Sequence, residues 1–231
     1  MSLSSAINRR ERRIPDMTSR TRREESRAHD PEGVRRNIIE VATEEFAEKG
    51  FSGGRVDEIA ARTRTSKRMI YYYFGDKEGL FVAVLEAAYA RIRTIEGGLD
   101  LEGLPPIEAL RKLTEFTFTY QNANPDFVRL VMVENIQNGV HLARSTKIQA
   151  VNISVLNVLR SIYDRGVAEG VFRPGLDVVD IHMTISALSF FNVSNRATFS
   201  LIFKRNMTSR SALNKRRDVV ADTVLSFVRK V

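Results

Sequence analysis

The side chains best suited to chemistry lie in one short stretch: Arg68, Met69, Tyr71 and Tyr72. If residues 66–74 are helical, a step of about 100° per residue sets Ile70 and Phe74 on one face. Arg68 and Tyr72 then point directly away, with Met69 and Tyr71 beside them. A guanidinium flanked by two phenols and a thioether is a wasteful water-facing surface. It is a useful DNA-reading one, because Arg can bond guanine through two donors or pair with phosphate, and Tyr can touch a thymine methyl or hydrogen-bond a phosphate. An exposed aromatic patch that binds protein is the competing reading. Lys77 adds a second signal. It falls in the first turn of the following helix, where the dipole disfavours a cation; a bound phosphate would reverse that penalty, and Asp76 as N-cap offsets part of it.

Three helices are expected to position this face. The first starts at Asp30 as N-cap, with Pro31 at the first helical position, and carries a stripe of Val34, Ile38, Val41, Ala42 and Phe46. It stops at Gly50, and Phe51 can fold back onto its last turn. Two short apolar-periodic pieces follow, Val56, Ile59 and Ala60, then Ile70 and Phe74, joined through residues 62–65. Two short helices on so tight a connection, after a longer packing helix, make a helix-turn-helix at 56–74. A helix from Asp76 to about Glu96, with Leu80, Val84, Leu85, Ala88 and Ile92 on one side, links this head to a body.

The body reads as helix throughout, at about 105–122, 125–137, 144–169, 177–203 and 210–230, with starts marked by Pro105-Pro106, Asn124-Pro125 and Asp177. The expected fold is therefore all-α: a basic disordered arm at 1–29, a helix-turn-helix domain at 30–76 and a helical domain at 77–231. Residues 181–203 are apolar on nearly every side, which requires burial on every side. One face can meet the chain's own core and the other a partner subunit.

The formal net charge is +8, but its distribution matters more. Residues 1–30 carry +3, residues 31–80 are neutral, residues 81–202 carry −1 and residues 203–231 carry +6. Net charge alone would direct DNA to the wrong end. Within the neutral segment, however, Arg62, Arg64, Lys67, Arg68 and Lys77 oppose only Asp76. The warrant for DNA is local.

Other classes find little support. Cysteine is absent, which removes disulfides and thiolate sites and fits a reducing cytoplasm; no apolar run is long enough for a membrane span. His29, His141 and His182 lack metal-ligand spacing, and no nucleophile elbow, P-loop or zinc-protease motif occurs. No enzyme, metal or cofactor is expected.

The run Ile59-Ala60-Ala61-Arg62, then Ser66-Lys67-Arg68-Met69-Ile70-Tyr71-Tyr72-Tyr73-Phe74-Gly75-Asp76-Lys77-Glu78-Gly79-Leu80, resembles the head of the TetR family of repressors. Residues 38–51 resemble its first helix and the loop after it. The resemblance implies Lys67, Arg68 and Tyr71 at base-facing positions and Met69, Tyr72, Tyr73 and Lys77 on or near phosphates. It also sets Arg55 and Val56 at the start of the second helix and Ser66 at the start of the third. Arg64 stands where the turn usually has Gly, so either the turn differs or Arg64 tolerates strain for a phosphate contact. The resemblance further implies a homodimer through the helices at 177–203 and 210–230, with Lys215, Arg216 and Arg217 turned outward. It implies double-stranded, palindromic operator DNA and an effector pocket in the body. Tyr120, Asn135, Asn152, Phe191 and Asn195 are the candidate ligand contacts, with His141 and Arg144 as anchors for an anionic group. The implied function is a repressor released from its operator by a small molecule. An effector-independent or architectural DNA-binding dimer is the alternative, and it would have a filled core in place of a cavity.

Overall fold

The computed structural model describes residues 30–230. The expected arm at 1–29 lies outside them. Ten α-helices are found among the described residues: α1 (Pro31–Gly53), α2 (Val56–Thr63), α3 (Lys67–Phe74), α4 (Lys77–Gly97), α5 (Pro106–Ala123), α6 (Pro125–Ile136), α7 (Thr146–Ala168), α8 (Val178–Ser194), α9 (Arg196–Ile202) and α10 (Arg210–Val228). A 3-10 turn at Leu142–Arg144 precedes α7. The only β feature among them is an isolated bridge between Phe172 and Arg229.

Capping explains most boundaries. Asp30 accepts from Gly33 N at 2.8 Å, and α1 breaks at Gly50 (φ 72°, ψ 174°), after which Phe51 turns back to within 6.2 Å of the Phe46 ring. Ser145, Asp177 and Ser209 cap α7, α8 and α10 in the same way. One expected boundary is wrong. The helix expected over 177–203 is interrupted at Asn195 (φ −103°, ψ 5°), and the separate α9 buries none of its residues.

In the head, Ile38, Ala42, Phe46, Val56, Ile59 and Ile70 are buried, and α3 packs on α2 and α4. Phe81 of α4 meets Phe46 edge-on at 5.2 Å, so the link helix shares the head's aromatic core. In the body, α5 packs against α10, α8 and α7, while α4 lies along α7. Leu110, Leu113, Leu159, Ile162, Phe172, Ile181 and Val224 form its core. Tyr163 closes the far end by donating to Arg173 O (2.8 Å) and accepting from Leu176 N (2.9 Å). No helix among the described residues is long and apolar enough to cross a membrane.

Candidate DNA-reading face and internal cavity

The sequence holds α3 at both ends. Ser66 Oγ accepts from Met69 N at 3.2 Å, Gly75 N–H donates to Tyr71 O at 2.8 Å, and Asp76 then caps α4 through Gly79 N at 2.6 Å. Gly79 leaves no room for a side chain: a Cβ there would lie 2.0 Å from the Phe74 carbonyl oxygen. α3 and α4 therefore meet at a set angle. Ile70 is fully buried, and on the opposite side Tyr72 is 78% exposed, with Met69 and Tyr71 each just over a third exposed.

The cations of the head fall into two groups. Arg64 and Arg68 are exposed, and neither side chain has a hydrogen bond or ion pair among the described residues. Arg55 is exposed as well, while its backbone N–H donates to the buried Glu45 carboxyl at 3.1 Å and so sets the start of α2. Lys67 is engaged by Asp57 at 3.1 Å, a hydrogen bond and charge pair that hold its ammonium above the usual lysine range. Arg62 pairs with Glu44.

Val56 opens α2 and Lys77 opens α4 as expected, but both side chains are engaged within the head. Val56 is 5% exposed and its side chain belongs to the head's core, so only its backbone is available at the start of α2. Lys77 does not stand free at the helix dipole. Its ammonium reaches back to Ser52 O (3.3 Å) and lies 5.0 Å over the Phe51 ring, and partial burial lowers its pKa. Tyr73 is half-buried between Tyr72 and Phe74. Arg64 takes the left-handed conformation (φ 53°, ψ 35°) that the turn requires, with Thr65 N–H donating to Ala60 O at 3.0 Å. The strained option is the one observed.

In the body a cavity of about 350 Å³ lies among α4, α5, α6, α7 and α8. Tyr89, Ile92, Arg93 and Glu96 line it from one face of α4, joined by Leu113, Thr117 and Gln121 of α5 and by Phe127, Asn152 and His182. Arg93 pairs with Glu96 and donates Nε–H to Asn152 Oδ1 at 3.1 Å, joining α4 to α7. Burial raises the Glu96 carboxyl, with the Arg93 charge opposing. Burial, helped by Arg93, pushes His182 down to about 4, so it is neutral at neutral pH.

Of the expected ligand contacts only Asn152 lines this cavity. Tyr120 is buried beside Phe116 and Phe127, and Asn135 is exposed on α6 with its amide on Val131 O. Phe191 lines a separate surface cleft with Phe199 and Arg216, and Asn195 marks the helix break. The two expected anchors serve the protein itself. His141 is buried against Phe51 (4.5 Å) and Phe81 (4.9 Å), with Nδ1 2.8 Å from Glu134 Oε2; Arg144 pairs with Glu78 on the surface. Glu134 Oε1 also accepts from His141 N (2.8 Å) and Leu142 N (2.9 Å). Ser145 and Lys147 bond Glu86 of α4, so the whole 141–147 segment is tied to the link helix.

Sequence reading missed Arg93, Glu96, Gln121 and His182. A signal existed for three of them. Arg93 and Glu96 share a helical face with Tyr89 and Ile92, and His182 interrupts the apolar α8; each is a polar group on an apolar stripe.

Residues 38–84 match the family described as bacterial regulatory proteins, tetR family, and residues 106–224 match the tetracyclin repressor-like C-terminal domain. The chain is 34% identical over 210 residues to the HTH-type transcriptional repressor NicS of Pseudomonas putida, covering 91% of this chain and 99% of that one. Among solved structures, a tetR-family regulatory protein from Rhodococcus RHA1 superposes with a TM-score of 0.68 at 20% identity, covering 86% of this chain and 98% of that one. The regulator FadR of Bacillus subtilis in complex with stearoyl-CoA does so at 0.65 and 22%, covering 82% and 97%.

Proposed function

Since the chain belongs to the TetR family and is a DNA-binding transcriptional regulator rather than an enzyme, we propose that it is a homodimeric repressor released from a palindromic operator by a small molecule in the α4–α8 cavity. Arg68 and Tyr71 read bases in this proposal, with Lys67 joining them once DNA displaces Asp57. Arg55, Arg64, Met69 and Tyr72 contact the backbone. Two exposed, unpaired guanidinium groups flanking an exposed aromatic face support this assignment.

One observation carries the effector half: the polar wall of the cavity is the head-bearing helix. Arg93 and Glu96 belong to α4, whose first turn is locked to α3 through Asp76 and Gly79. A ligand that shifts α4, together with the start of α7 that Arg93 ties to it, against α5 and α8 changes where the two heads meet successive major grooves. A filled core, as the effector-independent alternative requires, would leave no such space.

Dimerisation through α8 and α10 is supported by apolar side chains exposed on these helices and on α9. Met183 is 60% exposed and Leu201, Ile202 and Phe203 are 80%, 70% and 61% exposed. The basic run beside them divides: Lys215 is exposed, Arg216 is half-buried at the cleft and Arg217 pairs with Asp218.

Selection of bound sites from random DNA, followed by operator titration with fractionated cell metabolites, tests the proposal. A palindromic site and a fraction that releases wild type but not Asn152→Leu are expected. Release that is identical in Asn152→Leu, or an asymmetric single site, would overturn it.

A further inference from the structure

The cavity is unbalanced in a way that points to the chemistry of its ligand. Two buried oxygens on side chains of residues that line it, Glu96 Oε1 and Gln121 Oε1, have no hydrogen-bond donor among the described residues; the two residues are 6% and 5% exposed. Buried acceptors left unmade are costly and uncommon, and they concentrate where something else is meant to complete them. The one guanidinium present is already engaged, by the other oxygen of Glu96 and by Asn152.

Charge narrows the class further. An anion would stand beside the Glu96 carboxyl group and against two oxygens that already lack donors. A cation would meet Arg93 and the neutral His182 in a site with no spare negative charge. An uncharged donor leaves the ion pair intact.

Size and shape complete the description. A cavity of about 350 Å³ has room for a single ring and its substituents. Its apolar side presents the rings of Tyr89 and Phe127, set edge to face at 5.4 Å, together with Phe190. Such a wall suits a flat ring better than a flexible chain.

We propose that the cavity takes an uncharged, ring-sized ligand carrying two or more O–H or N–H donors, which bond Glu96 Oε1 and Gln121 Oε1 while the ring packs on Tyr89 and Phe127. This rests on reading the cavity as the effector site.

The test uses three single-ring probes of similar size on the full chain: resorcinol with two O–H donors, benzoate with a negative charge and toluene with neither. Affinities come from isothermal titration or ligand-observed NMR, with operator affinity measured in parallel. Resorcinol should bind about tenfold or more tightly than either other probe, as two buried hydrogen bonds would give. Gln121→Met, which keeps the volume and leaves the Arg93 pair alone, should lower resorcinol affinity by about fivefold or more without changing that of toluene. The unchanged toluene affinity reports an intact cavity in the variant. Benzoate binding as well as resorcinol, resorcinol failing to bind at its solubility limit, or a Gln121→Met variant with unaltered resorcinol affinity would each overturn the proposal. The effector reading stands or falls separately. Resorcinol in the cavity with operator affinity unchanged would sink that reading while leaving the ligand class in place. Operator release by benzoate, lost in Asn152→Leu, would do the reverse.

Discussion

Glu134 offers the most direct test of how the body is joined to the head. It is 1% exposed, and its two oxygens receive His141 N at 2.8 Å, Leu142 N at 2.9 Å and His141 Nδ1 at 2.8 Å. Glu134→Leu removes all three acceptor contacts at once. An orphaned buried donor costs about 1–3 kcal/mol. Leu142 is only half-buried, so water can reach its N–H and that contact falls at the low end. The new isobutyl group recovers part of the loss through burial. A net destabilisation of about 3 kcal/mol follows, or roughly 6–12 °C in Tm for a chain of this size. Glu134→Gln keeps one carbonyl oxygen for the two backbone N–H groups and alters only the ring contact, so about 1 kcal/mol is expected. Urea denaturation at fixed protein concentration measures both, since dimer stability depends on concentration. If Glu134→Leu fell within 1 kcal/mol of wild type, the 137–145 segment would not be held by this carboxyl group. If Glu134→Gln were as damaging as Glu134→Leu, acceptor number would be the wrong explanation.

Arg68→Ala should weaken specific operator binding by about 1–3 kcal/mol and relax base preference at one position of each half-site; equal losses on specific and random DNA would contradict base reading. Arg64→Gly should raise stability by about 0.5–1 kcal/mol, because relief of a left-handed arginine outweighs the added backbone freedom of glycine, while the salt dependence of DNA binding falls by about one counterion. A less stable variant in denaturant titration would refute the strain. His182 is depressed from 6.5 to about 4, so its native form is neutral. As pH drops below about 6.5 the unfolded chain takes up a proton that the folded chain refuses, and stability falls by up to about 3 kcal/mol on reaching pH 4. Above pH 6.5 this contribution is constant, and a His182→Leu chain should lose the slope; an unchanged slope between pH 6.5 and 4 would exclude His182 as its source.

The head was legible because its determinants are local. Ser66 caps Met69 and Asp76 caps Gly79, each pair three residues apart in the chain, and Ile70 faces inward between them. Arg64 could be flagged from sequence for the same reason: a turn of that length needs a left-handed residue, whatever packs around it. The cavity was opaque because its partners are distant in the chain. Arg93 and Asn152 are 59 residues apart, and Gln121 and His182 come from still other helices. Arg93 and Glu96 stood out only as polar groups on an apolar stripe, with nothing nearby in the chain to say what lay across from them. His141 and Arg144 misled in the opposite direction, since an exposed-looking basic pair proved to be bound to Glu134 and Glu78. The break at Asn195 had no Pro or Gly to announce it. It coincides with a tertiary contact, in which Asn122 Oδ1 accepts from Asn192 Nδ2 and Arg196 Nη2, each at 2.7 Å.

These long-range ties constrain how any signal could reach the DNA. α4 has 21 residues and so spans about 30 Å at 1.5 Å per residue. Over that length a tilt of 5° shifts the far end by roughly 2.5 Å, a shift of the size seen in known helix movements at subunit interfaces. Yet α4 cannot tilt alone. The 141–147 segment grips it at Glu78, Phe81 and Glu86, and Arg93 holds it to α7 at the cavity. Three of these four ties come from the segment that leads into α7. The element free to move is therefore α4 together with the start of α7. The seam that must slip lies on the other side of the cavity, where α5 supplies Gln121 and α8 supplies His182. A ligand bridging Glu96 and Gln121 would cross that seam directly. A ligand contacting Arg93 and Asn152 alone would leave it untouched, and should bind without moving the heads.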